Sequence, residues 1–431
     1  MSPSSEKPHP IKPRIIIHGG CGNITRANLP LSQWTLYRSA LHSILRASTQ
    51  ALSNPHATAL DIATTTVTHL ENNPLFNAGR GAVFTRAGTI ELEASVMVSS
   101  GYRKRGVGVM GVTRVRNPIL LAREMLVRGE EADGGGAQGH CQLTGEVCER
   151  LAGEWGVERV ERGYFWTRRR WEEHRRGLGE SCGREEYERE RRVAGYDGVF
   201  ECVQVGGEGG DIYLTNDPSW NGADYLPQGT VGCVVLDSTG TICVATSTGG
   251  ITNKLPGRVG DTPTLGAGFW AEEWQSPPTI PQQISPSPLS IFSEWTSALT
   301  ACIPSLTSSY LPIPQEVSHH RRAAAISGTG NGDSFLRLSA VRTACAIARF
   351  SQAETSLQKA VTAVAGPNGM LQLSADDRWR KTGEGEGGMI GIELDGSGVG
   401  RLVADFNAGG MFRAWVDGDG EERVMVFREE F

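Results

Sequence analysis

The chain has 431 residues, with 42 basic and 48 acidic side chains, a formal charge of −6 and nine cysteines. Its length allows one large domain or two to three ordinary ones, and its mild acidity argues against a dedicated nucleic-acid-binding protein. No apolar run reaches the roughly 18 residues of a membrane span, and the opening residues carry no apolar signal stretch. We therefore expect a cytoplasmic globular protein with reduced thiols and with neither a nucleic-acid nor a membrane partner.

The first part of the chain predicts alternating strands and helices. The β-branched run Ile15–Ile17, followed by His18 and a glycine pair, indicates a buried strand that ends in a tight turn. Apolar residues at helical spacing predict helices over about 36–52 and 61–70, the second with Asp61 as its N-cap. The further elements predicted here are a half-buried strand at 90–96, a strand at 106–113 and a helix at 118–128.

A segment rich in arginine and glutamate follows, from about 144 to 192. Its arginine runs could form a nucleic-acid patch, but in 184–192 four arginines face four glutamates around Tyr187. Such a balance is typical of a solvated surface with many salt bridges. From 195 to 228 the glycine, asparagine, aspartate and proline content predicts an exposed, flexible linker.

The C-terminal part returns to strands. Two strand-like runs, 231–237 and 241–246, flank Ser238-Thr239-Gly240, which suits a three-residue hairpin loop. A proline- and serine-rich stretch at about 272–320 predicts an irregular insertion. The last predicted elements are strands at 323–327, 389–394 and 400–405 and a helix at 338–350. This alternation indicates a layered α/β architecture.

Short motifs carry little information in this glycine-rich chain. A G-x-S-x-G string at 179–183 lies in the charged segment, without the strand and helix that a nucleophile elbow needs. Three G-x-G-x-x-G strings, beginning at Gly106, Gly134 and Gly383, lack the strand–turn–helix order of dinucleotide binding. The absence of H-E-x-x-H and C-x-x-C argues against zinc.

The hairpin and the loop after it are more informative. Pairing the hairpin about its loop places Thr230 opposite Thr248, with Cβ atoms roughly 4.5–5.5 Å apart, so the two hydroxyl groups could meet. Taken alone, two opposed threonines are usually a structural pair, and it is the following loop that favours a functional one. The following loop offers Arg258 and Asp261, a cation and an anion that suit the carboxylate and ammonium of an α-amino acid. The alternative is a salt bridge between these two side chains.

These residues lie in longer stretches that resemble the plant-type L-asparaginase and isoaspartyl peptidase family, threonine members of the N-terminal-nucleophile (Ntn) hydrolases. The matching stretches are IIIHGGCG at 15–22, LENNPLFNAGRGAVFTRAGTIELEASVM at 70–97, GTVGCVVLD at 229–237, TSTGGITNKLPGRVGDTPTLGAG at 246–268 and FNAGGMFRAW at 406–415. The resemblance implies one α/β domain with a four-layer αββα sandwich. Self-cleavage would divide it into residues 1–229 and 230–431.

The same resemblance implies the roles of individual residues. Thr230 would be the nucleophile once the Gly229–Thr230 bond is cut, because its freed α-amino group then serves as the base that a threonine hydroxyl needs. The other implied roles are orientation of the nucleophile by Thr248, a nearby polar contact from Asn77, substrate binding by Arg258 and Asp261, and an oxyanion site formed by Thr329 and the N–H of Gly330.

The implied activity is hydrolysis of L-asparagine to aspartate and ammonia, of β-aspartyl dipeptides, or of both, without a catalytic cofactor. A dimer of cleaved heterodimers is also implied. A structural sodium ion would be held by the backbone carbonyls of Leu70, Glu71, Asn73, Phe76, Ala78 and Arg80.

Two departures from the family pattern keep alternatives open. The family usually has T-G-x-G-E where this chain has Thr329-Gly330-Asn331-Gly332-Asp333, and the 272–320 insertion could alter which leaving group is accepted. A glycosylasparaginase would normally have aspartate before the nucleophile, and a threonine aspartase would lack the combined TSTGG and NKLPGRVGD segments. From a different class, a catalytically silent scaffold that binds amino acids is the remaining reading.

Overall fold

The computed structural model describes residues 10–180, 183–195, 229–276, 320–351 and 355–431. The predicted linker at 195–228 lies outside these ranges except for Gly195, and so does most of the predicted insertion. Residues 272–276 are not irregular as predicted, because each of them pairs with the strand that begins at His320.

Twelve β-strands occur in the described residues. They are β1 (Arg14–Gly22), β2 (Leu92–Val98), β3 (Gly106–Val112), β4 (Gln142–Thr144), β5 (Val231–Leu236), β6 (Ile242–Thr248), β7 (Phe269–Ser276), β8 (His320–Gly330), β9 (Gly387–Leu394), β10 (Gly400–Phe406), β11 (Gly410–Val416) and β12 (Glu422–Met425).

Ten α-helices occur in the same ranges. They are α1 (Leu31–Leu52), α2 (Ala59–Asn72), α3 (Pro118–Val127), α4 (Glu146–Glu154), α5 (Arg168–Gly177), α6 (Arg184–Val193), α7 (Gly332–Leu338), α8 (Ala340–Phe350), α9 (Leu357–Ala365) and α10 (Met370–Ser374). None of the helices in these ranges is long and apolar enough to cross a membrane.

The strands form two sheets that face each other. The first has the order β12-β11-β1-β5-β6-β2-β3-β4, and the second has the order β10-β9-β8-β7. Helices α1, α2 and α3 pack on the first sheet, whereas α8 and α9 pack on the second. The predicted αββα sandwich is therefore confirmed.

An apolar layer between the two sheets holds them together. It includes Ile16 of β1, Val234 of β5 and Ile390 of β9, all of them buried. Burial of such side chains stabilises the fold by about 1.5–3 kcal/mol each. Residues from both sides of the Gly229–Thr230 bond contribute to this layer.

Four predicted elements differ from the structure in detail. β1 continues past the glycine pair with a bulge between His18 and Gly20. Helix α2 starts earlier than predicted, because Thr58 is its N-cap and accepts a hydrogen bond from the Asp61 N–H at 3.1 Å. β2 is buried on both faces, since helices cover one side of the sheet and the second sheet covers the other. The helix predicted at 338–350 is interrupted at Ser339, whose φ is +45°.

The prediction of a solvated surface for the whole arginine- and glutamate-rich segment is wrong in part. Helix α5 buries Arg170, Glu173 and Trp171, and α6 buries Tyr187. The reason is that Trp171 stacks on Trp166 with a centroid distance of 5.0 Å. This contact packs the first turn of α5 against the core. The charged neighbours then form a buried ion pair, Arg170 Nη1 to Glu173 Oε2 at 2.9 Å.

Candidate active site

Thr230 lies directly before β5, where β5 and β6 pair as predicted, with Val231 opposite Ser247. The side chain is only 6 % exposed. Its hydroxyl shares a 3.0 Å hydrogen bond with the hydroxyl of Thr262. In the uncut chain Thr230, which lies one residue beyond the paired ladder, forms no hydrogen bond with Thr248.

Thr262 was missed by the sequence analysis, although it directly follows Asp261 in the matching loop. Its position links the candidate nucleophile to that loop. Thr248 instead accepts a hydrogen bond from the Gly250 N–H at 3.0 Å. Thr248 therefore organises the turn after β6, next to the nucleophile.

Gly229, the residue before Thr230, packs against the backbone of β1. A methyl group added at Gly229 would lie 2.5 Å from the Cys21 nitrogen and 2.8 Å from the hydroxyl oxygen of Thr329. Only glycine fits this close approach. The bond that the resemblance marks for cleavage is thus held directly beside the predicted oxyanion hydroxyl.

His18 is a second residue that the sequence analysis did not identify as part of the site. Its Nε2 lies 2.7 Å from the hydroxyl oxygen of Ser327, and its ring faces the backbone carbonyl of Thr230. Burial lowers the pKa of His18 to about 3, so the imidazole is neutral at physiological pH. The sequence feature that could have identified His18 as part of the site is its position directly before the glycine pair of β1.

Thr329 and Gly330 end strand β8. The Thr329 side chain is fully buried, and its hydroxyl has no hydrogen-bond partner among the described residues. Gly330 has a φ of +142°, which favours glycine. An unpaired buried hydroxyl is unusual, and a developing oxyanion is a ligand that would satisfy it.

Asn77 connects the loop after α2 to the turn after β6. Its Nδ2 donates to the Gly250 carbonyl at 2.7 Å and lies 3.5 Å from the Thr248 hydroxyl oxygen. Its Oδ1 accepts from the Val83 N–H at 3.0 Å. The structure therefore places Asn77 beside Thr248 and the turn that follows β6.

Arg258 and Asp261 lie together, but they are not hydrogen-bonded to each other. Arg258 Nη2 pairs with Asp333 Oδ2 at 3.0 Å, and its buried Nε has no partner among the described residues. Asp261 is 4 % exposed, and its Oδ2 is also without a partner there. The alternative reading of a loop salt bridge between Arg258 and Asp261 is therefore wrong.

Burial also shifts the ionisation of Asp261. It raises the pKa of Asp261 to about 7, although the nearby Arg258 acts in the opposite direction. A buried carboxylate with an unpaired oxygen is costly. A cationic group placed beside it would lower that cost.

In the loop predicted to hold sodium, backbone segments approach each other closely. A methyl group added at Gly81 would lie 2.5 Å from the Pro74 carbonyl oxygen and 2.8 Å from that of Phe76; Phe76 belongs to the predicted ligands and Pro74 does not. The carbonyls of Glu71 and Asn73 already accept backbone hydrogen bonds, but each carbonyl has a second lone pair. Neutral backbone oxygens are donors that a hard cation prefers, so the chemistry of the predicted carbonyls fits the predicted ion.

The side chain of Glu71 adds a feature that the sequence did not reveal. Its Oε1 accepts from the Ser247 hydroxyl at 2.7 Å and from the Ile119 N–H at 3.0 Å. Burial raises the pKa of Glu71 to about 8. Glu71 thus ties the loop and α3 to β6 at the residue before Thr248.

Comparisons with known proteins show which proteins the chain resembles over its length. The family model described as asparaginase matches residues 11–276. An isoaspartyl peptidase of Escherichia coli (strain K12) is 31 % identical over 417 residues, which cover 96 % of each chain. A probable isoaspartyl peptidase/L-asparaginase of Arabidopsis thaliana is 28 % identical over 417 residues, 96 % of this chain and 98 % of the relative. An isoaspartyl peptidase/L-asparaginase of Mus musculus is 31 % identical over 261 residues, 60 % of this chain and 63 % of the relative.

Proposed function

The chain belongs to the asparaginase family, and on this premise we propose that it is an autoprocessing threonine amidohydrolase. Its proposed substrates are L-asparagine, which it converts to aspartate and ammonia, and β-aspartyl dipeptides. Its nucleophile is Thr230, released as a new N-terminus when the Gly229–Thr230 bond is cut.

The observation that carries this proposal is a set of buried polar atoms without partners near Thr230. They are the Thr329 hydroxyl, the Arg258 Nε and the Asp261 Oδ2. They complement an oxyanion, a carboxylate and an ammonium group respectively. Both proposed substrates carry an α-carboxylate, an α-ammonium group and a β-carbonyl that becomes an oxyanion when attacked.

The contacts of Gly229 support the proposed self-cleavage. The Thr230 Oγ attacks the Gly229 carbonyl carbon, the peptide C–N bond breaks, and the hydroxyl proton goes to the departing nitrogen. Water then hydrolyses the Gly229 ester, which restores the hydroxyl and leaves a free α-amino group. The Thr329 hydroxyl lies beside Gly229 and can donate to the oxyanion of this step. His18 is neutral, and its ring faces the backbone carbonyl of Thr230 and helps to fix the position of that group.

Substrate hydrolysis repeats this chemistry on the β-carbonyl. The α-amino group of Thr230, with an ordinary pKa of about 7.7–8.0, takes the hydroxyl proton as the Oγ attacks. The Thr329 hydroxyl and the Gly330 N–H stabilise the oxyanion, and the protonated nitrogen leaves as ammonia or as the second amino acid. Water activated by the same amine then hydrolyses the β-aspartyl ester and releases aspartate.

The mature protein is proposed to contain a structural sodium ion and to form a dimer of cleaved heterodimers. The ion would be held by carbonyls of the loop that carries Asn77 and would fix that loop's shape. It would supply no group to the reaction. Dimer formation is checked by the native mass, which is expected to be twice the 46.4 kDa of one chain.

The proposed function is tested by intact mass and by aspartate release. The wild-type chain should separate into two fragments at the Gly229–Thr230 bond and release aspartate from L-asparagine or a β-aspartyl dipeptide. Thr230→Ala should remain intact and inactive, whereas Thr230→Ser, which keeps a hydroxyl, should retain both reactions in part. A fully processed chain that releases aspartate from neither substrate would contradict the proposal.

A further inference from the structure

A second concave site lies between the two sheets, at the side where β10 forms the edge of the second sheet. It is a cavity of about 320 Å³, near the lower end of the roughly 300–1,000 Å³ typical of small-molecule sites. None of its lining residues belongs to the site around Thr230. The lining residues used below are Ile16, Leu402, Phe406, Arg413, Trp415 and Arg428.

Arg413 of β11 is a buried cation that points into the space between the sheets. It is the register partner of His18, and directly opposed residues lie on the same face of a sheet. His18 bonds to Ser327 of the second sheet, so this face is the inner one. Arg413 is only 7 % exposed.

Arg413 lacks the carboxylate partner that a buried guanidinium normally has. Its Nη2 donates to the Phe427 carbonyl at 2.9 Å, and within the described residues it forms no ion pair. Its guanidinium carbon lies 4.8 Å from the centre of the Phe406 ring. Burial lowers the pKa of Arg413 to about 10, as expected for a cation without full compensation.

The nearest carboxylate, Asp405, is already engaged elsewhere. Its Oδ1 pairs with Arg428 Nη2 at 2.6 Å, and its Oδ2 accepts from the Thr362 hydroxyl at 2.6 Å. The guanidinium of Arg428 also lies over Phe406, at 4.6 Å from the ring centre. Arg428 thus occupies this carboxylate, which leaves the positive charge of Arg413 for an anion.

The apolar walls of the cavity favour a ligand that has an apolar part as well as a charge. Ile16, Leu402 and Trp415 line the cavity beside the cations, and inorganic phosphate would leave these walls uncovered. We propose that the cavity binds a small organic carboxylate, with its charged end on Arg413 and its apolar body against Phe406 and Trp415. A planar fork of N–H groups suits a carboxylate in this way.

The probe is benzoate, and its uncharged isostere benzamide is the matched control ligand. Binding is measured by calorimetry on the full chain, with L-aspartate in excess so that carboxylate sites around Arg258 are filled. We expect benzoate to bind the wild-type protein and benzamide to bind far more weakly. Arg413→Met should weaken benzoate binding about 10- to 150-fold, the effect of losing a hydrogen bond to a charged group.

Three further measurements keep the proposal falsifiable. Arg258→Met should leave benzoate binding unchanged, which separates this cavity from the site of the proposed function. Arg413→Lys keeps the charge but not the fork of N–H groups, so it should weaken benzoate binding, though less than Arg413→Met does. It also provides a measurable variant if Arg413→Met does not fold. No benzoate binding by the wild-type protein, unchanged binding by Arg413→Met, or phosphate binding as tight as benzoate binding would each overturn the proposal.

Discussion

The surroundings of Thr230 and the core around helix α5 both bury charged side chains, but they satisfy them differently. At α5, Glu173 accepts from Arg169 and Arg170 at 3.0 and 2.9 Å, and Arg170 also donates to the Gly81 carbonyl at 2.7 Å. Next to Thr230, the Asp261 Oδ2 and the Thr329 hydroxyl have no partner among the described residues.

The difference separates a structural use of buried polar groups from a functional one. A buried charge with all its partners fixes the packing of its neighbours, and its removal is felt in the stability of the fold. A buried polar atom without a partner costs free energy until a ligand satisfies it. We therefore expect changes at α5 to affect unfolding and changes beside Thr230 to affect turnover.

The largest effect is expected from Glu173→Leu. This change leaves the buried cation of Arg170 without a carboxylate, so the free energy of unfolding should fall by about 3–5 kcal/mol. The double variant Arg170→Met/Glu173→Leu should recover part of this loss, because it removes both charges of the buried pair but leaves Arg169 without its carboxylate. Denaturant unfolding of the two variants measures the difference.

An exposed pair provides the control for this prediction. Arg150 and Glu154 lie one turn apart on α4, with an N–O distance of 2.6 Å and about half of each side chain exposed. Glu154→Gln should cost only about 0.3–0.5 kcal/mol. An equal loss in Glu173→Leu and Glu154→Gln would remove the structural role assigned to the α5 pair.

The next effect concerns turnover and is expected from Thr329→Val. Loss of one oxyanion donor should lower kcat of the processed enzyme by roughly 10²–10³. The unfolding free energy should not fall and should rise if anything changes, because the variant removes a buried hydroxyl without a partner and leaves no other group unsatisfied. Steady-state kinetics and thermal unfolding of the same preparation check both halves.

Thr66→Val is the matched control, since Thr66 is another fully buried threonine. Its hydroxyl is bonded to the Ser48 hydroxyl and to the Ile62 carbonyl, both at 2.7 Å. This variant should lose about 1–3 kcal/mol of stability and keep its kcat. A normal kcat in Thr329→Val would exclude its hydroxyl from the oxyanion site.

The same contrast explains what could be read from the sequence. The hairpin register, the αββα layers and the closeness of Arg258 to Asp261 follow from local patterns and from long matching motifs. The partner of the Thr230 hydroxyl could not be predicted, because Thr262 reaches it through a loop whose path depends on packing. Thr230 also stands just outside the ladder that the pairing rule describes.

Helix α5 shows a different limit of prediction. Its composition is that of a solvent-exposed helix, and charge balance alone predicts exposure. A decisive contact is non-local, since Arg170 reaches the Gly81 carbonyl across 89 positions of sequence. One aromatic residue in a charged run was the only local signal of burial.

A third prediction concerns pH and the carboxylate of Asp261. Its pKa of about 7 means that it becomes protonated below neutral pH and loses attraction for an α-ammonium group. KM for L-asparagine should therefore rise about tenfold per pH unit below 7. Asp261→Asn should have a high KM that does not depend on pH in this range.

Folding should respond to the protonation of Asp261 with the opposite sign. Its pKa is higher in the folded chain than the ordinary 3.8, so this group favours the folded state at low pH. That contribution is lost as the pH rises towards 7.

The kinetic prediction has its own contradicting outcome. A KM for L-asparagine that stays flat as the pH is lowered would show that Asp261 does not bind the ammonium group.

The smallest effect is expected at Asp333. It has an ion-pair partner, as the charged residues of α5 do, but that partner is Arg258 of the candidate active site. It pairs with Arg258 at 3.0 Å, but its side chain is 53 % exposed, so the pair contributes only about 0.2–1 kcal/mol. Because Asp333 competes with a substrate carboxylate for the same guanidinium, Asp333→Asn should lower KM for L-asparagine by about 1.4- to 5-fold. Glu158→Gln breaks the similarly exposed pair with Arg116, at 2.9 Å, and should leave KM unchanged. A raised KM in Asp333→Asn would instead mean that Asp333 holds Arg258 in place for the substrate.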